Sequence, residues 1–268
     1  MLYQSIFYSL NYALGFIIIY LIGASLATKQ PAMTASAIAS TIANDQMYSK
    51  RFYFDLSVLI AKVWRSQMVS FVGNIVVVFP FALLFAYLIH HLNHHKLTEG
   101  EHALQMLQGI RPFESFCWIY AAYTGVLLFL SGIISGYIDN KMVYSHIAER
   151  IEKHPLLIRF ISTSMLSDIG FFLKSKSGVI AENILLGFFL GMSTYLGEII
   201  DLPIDIRHVT FSAGNFALAA YGLDFNLGLS TWIYCTIGVL GIGFINFTVS
   251  FSLAFYICLL YTSPSPRD

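Results

Sequence analysis

Five stretches of this chain contain no Asp, Glu, Lys or Arg: residues 1–28, 66–95, 115–138, 183–197 and 225–266. Four of them hold 20 or more mostly apolar residues, about what is needed to cross a hydrocarbon core of roughly 30 Å. A charged side chain at the bilayer centre costs roughly 2.5–3.5 kcal/mol on insertion scales, so such gaps are where lipid sits. The expected fold is all-α: a polytopic transmembrane helix bundle of about five spans, with amphipathic interfacial helices and a re-entrant candidate. Only 11% of the residues are charged, against about 25% in soluble domains. The expected partner is the lipid bilayer. Formal net charge is zero, so there is no overall basic footprint, and nucleic acid is not an expected partner of this chain.

Charge gaps and breakers place the spans at about 6–27, 67–89, 116–138, 183–200 and 229–257, in one transmembrane domain over residues 1–257. The first charge, Lys29, follows the first apolar core rather than preceding it, which favours a span over a secretory signal. Residues 141–180 read as amphipathic helices broken at Pro155, with Glu149 and Lys153 at i,i+4 spacing, lying along the membrane surface. Residues 209–223 are apolar but only 15 long, too short for a comfortable span, and so re-entrant or interfacial. The last eleven residues, Cys258-Leu-Leu-Tyr-Thr-Ser-Pro-Ser-Pro-Arg-Asp268, resemble an in-frame translation of a transposase sequencing adapter. They are expected to be a non-native tail of irregular backbone, joined to a span cut near Ile257.

Loop charges orient the bundle. Residues 28–66 carry five Lys or Arg and residues 139–182 carry six, whereas the two alternate loops carry three between them. Lys and Arg accumulate on the cytoplasmic side. Loops 28–66 and 139–182 are therefore expected in the cytoplasm of a bacterial cell, with the bundle in its inner membrane. His94 and Arg207 fall outside, and an outward-facing start without a signal implies more protein upstream.

Polar residues beside or inside the spans are the candidates for function: Lys29 and Gln30, Asn74, Asp139 and Asn140, then Glu198, Asp205, Arg207 and His208. Ionisable residues at membrane depth are costly and functional by default. Asp205 is spaced to pair with Arg207, and His208 to titrate near neutral pH; a solvated turn is the plainer reading of that segment. Asn74 and Asn246 can hydrogen-bond across helices. In the run His90, His91, His94, His95, i,i+4 pairs can share a metal, but no Cys or acid stands beside them. A polar helix end is expected, with no metal, no cofactor and no recognisable catalytic residue. The cysteines (Cys117, Cys235, Cys258) lie in apolar surroundings and predict no disulfide framework. Two GxxxG patterns, Gly132/Gly136 and Gly187/Gly191, offer close helix packing within the chain or, second, homo-oligomer contacts.

Four blocks occur in order: Leu26-Ala-Thr-Lys-Gln-Pro-Ala-Met-Thr-Ala35, Gly73-Asn74, Gly125-Val-Leu-Leu-Phe-Leu-Ser-Gly132 with Gly136-Tyr-Ile-Asp-Asn140, and Leu202-Pro-Ile-Asp-Ile-Arg-His-Val-Thr210. Together they resemble a bacterial integral-membrane family labelled site-specific recombinase, over nearly all of residues 1–257. The resemblance implies a longer parent with a helical region upstream, and it carries no catalytic role onto any residue. Recombination needs a Ser or Tyr nucleophile beside several Arg or Lys. The six arginines before the tail are spread over 51–207, on both sides of the expected membrane. The expectation is an anchor or scaffold for the upstream region, without an enzymatic site in this chain. The alternatives are a transporter or channel with a polar site of Asn74, Glu198, Asp205, Arg207 and His208, and a recombinase whose catalytic residues lie outside this chain.

Overall fold

The computed structural model describes residues 2–21, 50–202 and 204–262. Every regular element among them is a helix: α1 (Leu2–Leu21), α2 (Lys50–Asn93), α3 (Gly100–Gln108), α4 (Cys117–Tyr144), α5 (Ile147–Glu152), α6 (Pro155–Phe160), α7 (Thr163–Ile199), α8 (Val209–Gly222) and α9 (Leu229–Thr262). Five of these are long and apolar enough to cross a membrane. The domain expected over 1–257 divides into two compact units. Unit 1 is residues 1–25 with 127–200; unit 2 is 26–126 with 201–268.

Helix ends depart from the charge-gap boundaries for a simple reason: a charge ends lipid solubility, not a helix. Expected near 67, α2 begins at Lys50, inside the stretch read as loop. Expected near 183, α7 begins at Thr163, where the Ser162 hydroxyl accepts the Met165 N–H at the N-cap. Residues 163–180, assigned above to the surface segment, therefore belong to the same helix as the fourth span. Pro155 does break the chain, as the first residue of α6, where its missing N–H costs nothing. Glu149 is bonded to His146 at 3.3 Å. The irregular backbone expected from residue 258 does not begin there: α9 stays helical through Thr262. Residues 263–268 lie outside the described residues.

In unit 1, α1 packs antiparallel along α7. The buried residues of α1 are Ser5, Ser9, Ala13 and Phe16, a stripe at helical spacing. Opposite them lie Gly191 and Gly187, whose missing side chains leave room for the backbone of Ser9 and Ala13. Lys176 lies 5.2 Å from the centre of the Tyr20 ring. The second expected glycine face behaves differently, since nothing approaches the Cβ position of Gly136 within 4 Å.

Unit 2 is built in levels. At one end His90 Nδ1 lies 2.9 Å from the Tyr221 hydroxyl, and Lys96 bonds Asp224 at 2.7 Å and the Gly222 carbonyl at 3.3 Å. A cation there suits the C-terminus of α8. Next, Phe216 packs between Phe79 and Trp232, with ring centres 5.4 and 5.2 Å away. Below them α3 buries Ala103 and Leu107, with the Leu107 carbonyl taking the Cys235 thiol and the Ile110 carbonyl the Cys117 thiol. The lowest level joins Phe71 and Val209 against Gly243, and Trp118 against Gly241. Thus α8 runs parallel to α2 and antiparallel to the first half of α9. From Tyr221 down to Val209 is about 18 Å, and from Leu229 to Asn246 about 26 Å, at 1.5 Å per helical residue.

Gly238 is where α9 meets the turn after α3, because a Cβ there would fall on the Ile110 carbonyl oxygen. A carbonyl cannot move aside as a flexible side chain can. Gly238→Ala should therefore lower stability by about 1–3 kcal/mol, seen as a lower melting temperature of the purified protein. An unchanged melt would contradict this packing.

Candidate functional site

Residues 204–208 form an irregular segment that turns the chain into α8 at the bottom of unit 2. Asp201 (φ 54°) takes the left-handed conformation just after α7 ends at Ile199, a conformation a short polar side chain tolerates. Pro203 lies outside the described residues. Freed from helical bonding, the backbone of this segment finds partners from neighbouring helices. The Arg207 N–H donates to the Thr124 hydroxyl at 3.0 Å. Asn246 donates from Nδ2 to the Ala121 carbonyl (2.8 Å) and the Arg207 carbonyl (2.9 Å), and its Oδ1 accepts the Val209 N–H (3.2 Å). One buried amide thus ties α4, α9, the break and the start of α8 together.

The expected ion pair forms: Arg207 Nη2 lies 2.7 Å from Asp205 Oδ2, with side chains 22% and 37% exposed. Asp205 Oδ1 accepts the Ile206 N–H at 2.7 Å. The guanidinium packs on Gly109, where a Cβ would lie 2.7 Å from Nη2, so the turn after α3 and the break before α8 meet at this charge. His208, 1% exposed, caps α8. Its Nδ1 accepts the Thr210 N–H at 3.3 Å, which puts the ring proton on Nε2. Complete burial pushes its pKa down to about 4. The titration near neutral pH expected from the sequence is thereby corrected: a ring removed from water stays neutral at pH 7.

Several buried polar atoms here have no hydrogen-bond partner: Asn74 Nδ2, Arg207 Nε, His208 Nε2 and Thr210 Oγ1. Asn74 reaches this group by register. Val78 of α2 lies against Gly214 of α8, and one turn back on both parallel helices Asn74 stands opposite Thr210. Beside the break, an apolar groove of about 280 Å³ is lined by Phe116, Ile119, Tyr120, Tyr123 and Ile204.

The other candidates lie elsewhere. Asp139, in unit 1, accepts the Gly178 N–H at 2.8 Å and fills the space a Cβ there would need; it holds α4 to α7. Asn140 is exposed on α4, and Glu198 is exposed near the end of α7 in unit 1, so the cluster in unit 2 is described without it. Lys29 and Gln30 fall outside the described residues. His91 stacks on Tyr87 with ring centres 6.0 Å apart. Among the described residues no group of three or more His, Cys, Asp or Glu could hold a metal ion. Thr124, Gly109 and Thr210 were missed, because Thr and Gly are ordinary in apolar helices and only tertiary register gives them a role.

An all-helical chain with five helices long and apolar enough to cross a membrane fits a membrane protein. More specifically, the chain belongs to the site-specific recombinase family, whose model matches residues 1–261. Neither a curated protein nor a solved structure matches it.

Proposed function

We propose that the chain is a multi-pass protein of a bacterial inner membrane, and that its break at 204–210 binds a small polar solute, as in a transporter or channel. The observation that carries this is the buried polar break itself, with the Asp205–Arg207 pair beside the unpartnered His208 Nε2. Irregular backbone far along an apolar bundle is tolerated where protein or water satisfies it. Broken helices whose ends carry polar groups are how many transporters build their sites. An unpartnered buried donor costs about 1–3 kcal/mol, and a ligand removes that cost.

The test is a thermal-stability screen of the purified chain against small polar solutes, alongside Arg207→Gln. A solute that stabilises the unmodified chain and not the variant is expected. A screen in which every solute acts equally on both would overturn the reading.

A second reading is the anchor or scaffold for an upstream region, supported by the α1–α7 seam, which packs tightly without any charge. The family description favours a recombinase whose catalytic residues lie outside this chain. Recombinase chemistry within it is not proposed, because Arg207 is held by Asp205 and lies inside a helix bundle, whereas DNA needs an exposed basic face. The bilayer is the proposed partner. Since α1 fills the Gly187/Gly191 face, self-association is assigned to Gly132/Gly136.

The excess of Lys and Arg in 28–66 and 139–182 places those segments in the cytoplasm. Cysteines at 153 and 94 should then react with an impermeant thiol reagent from opposite sides. Labelling of both from one side would reverse that topology.

A further inference from the structure

We propose that the recess at the N-terminus of α8 binds a small monovalent anion; this rests on the solute-site reading above and names its ligand class. The argument is the polarity of the unpaired atoms. In unit 2 the buried side-chain nitrogen and oxygen atoms without a partner, among the described residues, are Asn74 Nδ2, Arg111 Nε, Arg207 Nε, His208 Nε2 and Thr210 Oγ1. All four nitrogens carry protons, His208 Nε2 because Nδ1 is the acceptor for the Thr210 N–H. The fifth is a hydroxyl, which can donate as well. None is an obligate acceptor.

The acceptors in the same place are already engaged. Asp205 gives one oxygen to the Ile206 N–H and the other to Arg207, and Asn246 Oδ1 takes the Val209 N–H. A cation would find little to coordinate, whereas an anion would find several idle N–H groups. Arg207, His208 and Thr210 also flank the start of a 14-residue helix, whose backbone adds roughly half a positive charge at that end. Asn74 closes the recess from α2 by the register described above.

Charge sets the valence. Arg207 and Asp205 cancel, and His208 is neutral. What remains is the partial charge of the helix end, which suits one negative charge and not two. Arg111 belongs to the turn on which Arg207 packs, and Glu114 holds its guanidinium at 2.6 Å, so it adds no net charge.

The experiment is thermal unfolding of the full chain in lipid nanodiscs, titrated with sodium chloride, sodium formate, sodium sulfate, choline chloride and an uncharged polyol at matched ionic strength. A saturable rise in melting temperature is expected with chloride or formate, identical for sodium and choline, and absent with sulfate. Which of the two acts separates an inorganic halide from a carboxylate. Asn74→Leu and Thr210→Val each remove only an unpaired group, so the anion-free melt should move by no more than about 2 °C. Each should weaken anion binding about tenfold, the loss of one hydrogen bond to a charge. No anion dependence, or unchanged affinity in both variants, overturns the proposal. A response that follows sodium or the polyol overturns the anion and leaves the solute site standing; no response to any solute overturns both.

Discussion

Gly191→Ala should destabilise the protein by about 1–3 kcal/mol, while Gly136→Ala, on a glycine four residues from another just as Gly191 is, should be neutral or mildly stabilising. At Gly191 the added carbon would press on the backbone and hydroxyl of Ser9. Neither can swing away, so α1 must lift from α7. At Gly136 nothing lies within 4 Å, and alanine is the better helix former by about 1 kcal/mol. Gly191→Leu should go further and prevent α1 from seating at all. Melting temperatures of the three variants decide this. Equal effects at 136 and 191 would mean that α1 does not occupy the glycine face.

A comparably large effect is expected from Asn246→Leu. The substitution keeps the volume and strips three hydrogen bonds, leaving the Val209 N–H and the Ala121 and Arg207 carbonyls without that partner. Buried unpaired groups cost about 1–3 kcal/mol each, although hydrogen bonds between membrane helices average nearer 0.6 kcal/mol. A loss of about 2–5 kcal/mol follows. Thr248→Val is the control, since that hydroxyl bonds its own helix and the residue is exposed; it should shift stability by less than about 0.5 kcal/mol. If the two variants melt together, Asn246 does not hold the break in place.

The chain reveals its lipid-facing helices because charge is excluded from lipid, and that signal is one-dimensional. Its limits show in the same elements. The starts of α2 and α7 were displaced by about 20 residues, since Lys50, Lys62, Asp168 and Lys176 are compatible with a helix that continues past the apolar core. The short helix α3 went unread, because only Ala103 and Leu107 of its nine residues face the core. At the site, Asp205 and Arg207 were legible as a pair from spacing alone. The anchoring role of Asn246 was not, although an amide in a long charge-free stretch marked it as a helix-to-helix bond. Asn74 and Thr210 meet only through the register of α2 and α8, and no local pattern encodes that register. Glycine behaves in the same way. Two GxxxG patterns look alike in sequence, and only one has a helix seated on it.

The most direct measurement is the solvent accessibility of residue 208 in the membrane. In a background with Cys117, Cys235 and Cys258 replaced by serine or alanine, His208→Cys should resist an impermeant maleimide from both sides. Asp224→Cys, on a residue whose side chain is 79% exposed, should react readily. That pattern is the result expected if the break at 204–210 is a recess held inside the helices. Labelling of position 208 as fast as position 224 would make the segment an ordinary exposed connector, and would contradict the account at its centre.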